Sequence, residues 1–145
     1  MSLTAEKLTS ELKVTQYDFD PDGTSATAVE WVDMKDYGKI LVSFFRTVGT
    51  SNLTFLVQAS ASSAGTSAET VLTKTISSQP DAVGDYVFAE VLAEQIAAKA
   101  ASTGKALRYV SAVLTFGTGT DEGVVTYIRG GSRFKYTSLT ADYVS

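Results

Sequence analysis

The segment Asp18-Phe19-Asp20-Pro21-Asp22-Gly23 comes nearest, by residue type, to a chemical site. Carboxylates at alternate positions followed by glycine match the first six places of an EF-hand loop, whose oxygens surround a hard cation. The match then stops. Position twelve is Val29, the acid arrives one place late at Glu30, and neither flank has helical periodicity. A polar turn between strands is the reading that follows, and no metal is expected. Asp33 and Asp36 around Met34-Lys35, and Asp121-Glu122 in a loop tip, are the other carboxylate pairs. A wet tip does nothing to raise a carboxyl pKa toward neutrality, so both pairs are read as solubilising or structural.

The rest of the chemical repertoire is thin. Cysteine and histidine are both absent, which removes disulfides, thiol nucleophiles, histidine triads and Cys/His zinc sites. Gly117-Thr118-Gly119 lacks the third glycine of a dinucleotide fingerprint, and G-x-x-x-x-G-K-[ST] does not occur. No cofactor is expected, and the chain is read as non-enzymatic. Trp31 with Tyr37, Tyr86, Tyr109, Tyr127, Tyr136 and Tyr143 offers the raw material of a sugar-stacking platform. Most of these aromatics fall at alternating strand positions, where packing is their ordinary role.

The chain has 145 residues, 44% of them hydrophobic and 19% charged, with a net charge of −4. That is enough chain for one globular core and the wrong sign for a nucleic-acid partner, which needs Lys and Arg against phosphate. The charges are unevenly placed. Residues 1–36 hold eight acids and three bases, whereas residues 104–145 hold five bases and three acids. Opposite ends of this kind either steer a contact or lie solvated. The start lacks a basic stretch followed by an apolar one, and the run Ile40-Leu41-Val42-Ser43-Phe44-Phe45 is far too short to cross a bilayer. No membrane is expected, and synthesis in a cytoplasm is.

The elements that must position these groups are mostly strands. Short runs of Val, Thr, Tyr and Phe between Gly, Ser, Asn and Asp clusters mark them. The runs are 14–19, 27–32, 40–45, 53–59, 71–76, 86–91, 108–116 and 124–129, with a further edge strand at 134–136. The stretch 40–45 is apolar on both faces, which predicts a central strand covered on two sides. Gly49-Thr50-Ser51-Asn52 and residues 117–123 read as hairpin loops, Gln79-Pro80-Asp81 as a turn, and 60–68 as a mobile surface loop. Val29 and Trp31 are expected on one face. Leu92 to Ala101 is the one strong helix pattern, with Gly104 placed to end it.

The expected fold is mainly β. It is a single-domain antiparallel β-sandwich or jelly roll with a short N-terminal helix and one helical insertion. Residues 1–13 form an arm, 14–137 the sandwich and 138–145 a tail. Leu3, Leu8 and Leu12 on the arm, with Tyr136 and Tyr143 near the other end, are the candidate partner contacts. A helix this short is marginal alone and needs something to dock on.

The stretch Val32-Asp33-Met34-Lys35-Asp36-Tyr37-Gly38-Lys39-Ile40-Leu41-Val42-Ser43-Phe44 resembles small virion proteins of tailed bacteriophages. The likeness continues through Gly49-Thr50, Leu53 to Ala59 and Arg108 to Thr115, and spans residues 14–129 loosely. The resemblance implies a capsid decoration or cement protein that sits on the outer shell, binds the major capsid protein and clamps capsomers. It also implies a dimer or trimer, located on the virion. A tail or neck position and a carbohydrate-binding module are the alternatives. Such a protein acts by linkage: binding only the assembled shell stabilises that state.

Overall fold

The computed structural model describes residues 12–20, 23–76 and 82–132. Eight strands and a helix follow one another as β1 (Lys13–Phe19), β2 (Thr27–Asp33), β3 (Tyr37–Val48), β4 (Leu53–Ser60), β5 (Glu69–Ile76), β6 (Tyr86–Leu92), α1 (Ala93–Thr103), β7 (Tyr109–Phe116) and β8 (Glu122–Ser132). They build two antiparallel four-stranded sheets, sheet A in the order β1-β8-β3-β6 and sheet B in the order β2-β7-β4-β5. The mainly β expectation holds, and the two sheets close as a β-sandwich.

Alternation puts the core between them. Ile40, Val42 and Phe44 of β3 and Val125 and Tyr127 of β8 point inward from sheet A. Leu53, Phe55 and Val57 of β4 and Val110, Ala112 and Leu114 of β7 meet them from sheet B. Phe116 joins the layers, its ring centroid 5.5 Å from both Phe19 and Phe44. Tyr127 bolts them: its hydroxyl accepts from the Ala112 amide at 2.9 Å and donates to the Val29 carbonyl. Burial pushes the Tyr127 phenol up to about 12, so it stays a protonated donor.

Several expectations change in three dimensions. Residues 49–52 and 117–121 are not hairpin loops, because β3 and β4, and β7 and β8, lie in different sheets. Each loop is a corner carrying the chain from one layer to the other. Composition marks a turn but does not say which strand the chain pairs with next. Val29 and Trp31 do not share a face. The β2–β7 register shifts between Val29 and Val32, and Glu30 adopts φ +54°, so the bulge turns Val32 inward. The 60–68 loop is organised: Ser60 donates to the Thr66 carbonyl at 2.8 Å and Gly65 lies flat against Trp31. A Cβ on Gly65 would stand 2.3 Å from the indole.

Helix α1 starts where Leu92 donates its amide to Gln95 Oε1 at 2.8 Å, half of a capping box. It ends on Gly104 at φ +68°, whose amide bonds back to Ala100, as the glycine's position predicts. Ala93 and Ile96 are its buried residues. The expected N-terminal helix, the turn at 79–81 and the strand at 134–136 lie outside the described residues.

Candidate functional site

Strand β3 is expected to be covered on two sides, and among the described residues it is covered on one. It is central, between β8 and β6, with Ile40, Val42 and Phe44 fully buried inward. On the other side Leu41 and Ser43 are half-buried and Phe45 is 43% exposed. Cross-strand partners in an antiparallel sheet share a face, so the register extends this surface sideways. Phe45 faces Tyr86, Ser43 faces Phe88 and Lys39 faces Leu92 across β3–β6. Across β3–β8 Leu41 faces Ile128 and Phe45 faces Val124, and β1 adds Val14 opposite Ile128.

The result is an apolar outer face on sheet A. Tyr86 is 63% exposed, Val14 59% and Phe88 51%, with Leu92 also exposed on the same face and Val48 and Val83 exposed at the same end of the sheet. Tyr86 and Phe88 stack at 6.0 Å between centroids. The whole outer face, four strands spaced about 4.8 Å apart by seven residues rising about 3.3 Å each, covers roughly 440 Å², and Gln16, Asp18, Ser43, Thr126 and Glu90 share it with the apolar groups. Large contiguous apolar surfaces rimmed by polar groups mark interaction sites.

Leu12, the one arm residue of the sequence-derived contacts that is described, opens onto this same face. With Lys39, Leu41, Glu90, Ile128 and Gly130 it lines a hollow of about 210 Å³. Leu3, Leu8, Tyr136 and Tyr143 lie outside the described residues. The face itself was missed by sequence reasoning, although a signal was present. Tyr86-Val87-Phe88-Ala89-Glu90-Val91-Leu92 is apolar at nearly every position, as is β3, and in a two-layer fold only one parity reaches the core.

Charged groups brace both ends of the sandwich. At one end Arg46 and Asp121 are buried, at 0% and 1% exposure, and pair at 2.8 Å. Arg46 Nη2 also donates to the Ser51 carbonyl at 2.7 Å, and its guanidinium lies 5.4 Å from the Phe116 centroid. Asp121 accepts from the Ser51 amide and hydroxyl and from the Thr118 hydroxyl. Burial alone would raise the Asp121 carboxyl, but the hydrogen bonds from Ser51 and Arg46 outweigh it and hold the pKa below the ordinary aspartate value. The expected wet tip is therefore a dry latch joining the two corner loops.

At the other end Arg108 grips Asp33 through two nitrogens, Nε at 2.8 Å, and this pairing holds the Asp33 carboxyl low. Arg129 donates to the Asp33 carbonyl at 2.8 Å and lies 5.1 Å from the Tyr37 ring centroid. The acidic first third and the basic last third of the chain thus meet within the molecule. Lys105 pairs with Glu69 in the same region.

The remaining candidates disperse. Asp18, Asp20 and Glu30 border an open hollow between β1 and β2, and among the described residues no three acidic groups are arranged to hold a metal ion. Trp31 lies against the 60–68 loop, Tyr37 beside Arg129, Tyr109 beside Arg108, and Tyr127 is in the core. These aromatics do not form one exposed plane. A hollow of about 110 Å³ beside α1, lined by Met34, Ile96, Leu107 and Arg108 among others, is small for a ligand. Among the described residues no helix is long and apolar enough to cross a membrane.

No protein-family model and no curated protein sequence matches the chain. Among solved structures, a Bacillus endospore appendage protein, of a family of disulfide-linked pili, is 13% identical with a TM-score of 0.51. The match covers 82% of this chain and 85% of that one. This likeness is one of fold. The PBSX exported protein XepA is 13% identical over 86% of this chain and 38% of its own, with a TM-score of 0.49. The SPBc2 prophage-derived protein YomS is 12% identical over 82% and 95%, with a TM-score of 0.45.

Proposed function

We propose that this chain is a non-enzymatic structural protein of a tailed-phage particle. It binds the major capsid protein on the outer shell and holds neighbouring capsomers together. The outer face of sheet A carries the reading: a surface with exposed aromatic and aliphatic groups, on a fold braced at both ends by buried or paired charge, is built to adhere. The resemblance of residues 14–129 to virion proteins agrees with it. So does the sharing of this fold with a protein that forms pili, an assembly of many copies.

The strand order also supports a jelly roll. Each sheet alternates early and late strands, 1-8-3-6 against 2-7-4-5, as two interleaved Greek keys require, and jelly rolls recur in viral shells.

The mechanism is linkage. Each copy that binds only the assembled shell contributes its binding free energy to that state, and many copies multiply the effect. The test is cosedimentation with particles lacking the protein, followed by a heat challenge. Saturable binding that raises the temperature of particle disruption supports the reading. Absence of binding to heads, with binding to isolated tails or necks, moves the protein to those parts. Binding to neither overturns it.

A further inference from the structure

The two ends of strand β1 carry opposite charge. At one end Asp18, Asp20 and Glu30 are exposed on the border of the hollow between edge strands β1 and β2. The hollow measures about 280 Å³, and Phe19 and Val29 are buried along it. Glu122 lies at the same end, next to Gly123, which faces Phe19. Among the described residues none of these carboxylates forms an ion pair. The bases near this level are Arg46, closed by Asp121, and Lys74 on the opposite edge strand of sheet B, β5.

At the other end Lys13 is exposed opposite Arg129, and Lys35 is exposed just after β2. Asp33 gathers these groups, its carbonyl accepting from Arg129 and its carboxylate from the Lys35 amide. Arg129 is 6% exposed, its Nε has no hydrogen-bond partner, and Arg108 takes both carboxylate oxygens of Asp33. A buried cation with no carboxylate paired to it leaves this end short of negative charge, and Asp36 beside Arg108 is the one acid set against it. Six steps of about 3.3 Å hold the two ends of β1 roughly 20 Å apart. That exceeds the screening length of about 10 Å at 0.1 M salt, so one end does not neutralise the other within a molecule.

We infer that copies of this chain dock head to tail, the lysines of one basic end entering the acidic hollow of the next. The stem of a lysine lies along Phe19 and Val29 while its ammonium meets the carboxylates on the border. A bare metal ion does not suit the place, since no three acidic groups among the described residues are arranged to hold one. The space is also just under the roughly 300–1,000 Å³ of small-molecule sites, and accepts side chains. The contact joins two different surfaces, so it closes into a ring or continues as a row. The inference stands apart from the virion reading, and the purified chain tests it without any particle.

Sedimentation of the full chain is compared at low and high ionic strength. Wild type is expected to grow beyond two copies at low salt and to fall to monomer at high salt. Asp18→Asn, Asp20→Asn and Glu30→Gln together close the acidic end, and Lys13→Gln with Lys35→Gln closes the basic one. Each of these chains alone is expected to be monomeric, with circular dichroism showing that it is folded. Mixed in equal amounts they form a dimer of one of each and stop there, because each keeps one working end. A wild-type monomer at every concentration, a wild type that stops at two copies, association that strengthens with salt, or no pairing in the mixture overturns the inference.

Discussion

Arg46 and Asp121 stand 75 residues apart in sequence and form an ion pair closed to solvent, 2.8 Å between Nη1 and Oδ2. Arg46 ends the core-facing run of β3 and Asp121 immediately precedes β8, so the pair locks the two corners where the chain changes sheets. Removing one partner strands a buried charge. Arg46→Ala is expected to lose about 3–5 kcal/mol of stability in denaturant melts, whereas the double change Arg46→Met with Asp121→Leu costs far less. A single variant as stable as the parent would show that the pair does not hold the corners.

The same carboxylate sets the acid limb of stability. The Asp121 pKa is lowered in the folded state, so its contribution is complete above the unfolded value of about 3.9 and is lost as pH falls through the folded one. Asp33, held low chiefly by Arg108, acts in the same direction, but solvent screens this half-exposed pair and its share is small. Denaturant midpoints are expected to be flat near neutrality with respect to these groups and to fall below about pH 4. In Asp121→Asn the fall is shallower.

Tyr127 sets an alkaline limb. Its phenol is pushed up to about 12, so its contribution is complete below the ordinary value of about 10 and is lost as pH rises through about 12. Tyr127→Phe leaves the Val29 carbonyl and Ala112 amide without their partner, at a cost of about 1–3 kcal/mol. Melting the two proteins in parallel from neutral to alkaline pH checks both effects. Equal stability of the two would mean that the hydroxyl bridges nothing.

Trp31 is the chain's single tryptophan, so its emission reports the 60–68 loop directly. Gly65 adopts φ +73° with no room for a Cβ beside the indole. Gly65→Ala is expected to lift the loop, shift Trp31 emission to the red and cost about 1–3 kcal/mol. An unchanged spectrum would place the loop away from the indole.

Much of the fold was legible because periodicity and turn chemistry act locally. Residue patterning located the described strands to within three residues, and helix propensity with Gly104 placed α1. Partner choice was not legible. The Gly49–Asn52 and 117–123 loops have the composition of hairpins, and only the register of distant strands makes them corners. The β2 bulge hid for a similar reason, since nothing in Val29-Glu30-Trp31-Val32 announces an extra residue. The ion pair was invisible because a carboxylate in a Gly/Thr loop looks wet until Arg46 is folded against it. The candidate face was half legible. The two-sided apolarity of 40–45 predicts a second covering layer, and the same pattern in β6 does not say which parity faces out.

In the proposed function the outer face of sheet A is the adhesive surface. Phe45, exposed on that face beside Tyr86, and Thr73 on the exposed side of sheet B give a matched pair of substitutions. Particles lacking the protein are incubated with wild type, Phe45→Lys or Thr73→Lys, each shown to be folded, and bound chain is measured after sedimentation. Wild type and Thr73→Lys are expected to bind to saturation while Phe45→Lys loses at least about tenfold in affinity, the effect of about 1.4 kcal/mol. Undiminished binding of Phe45→Lys, or loss confined to Thr73→Lys, would contradict it.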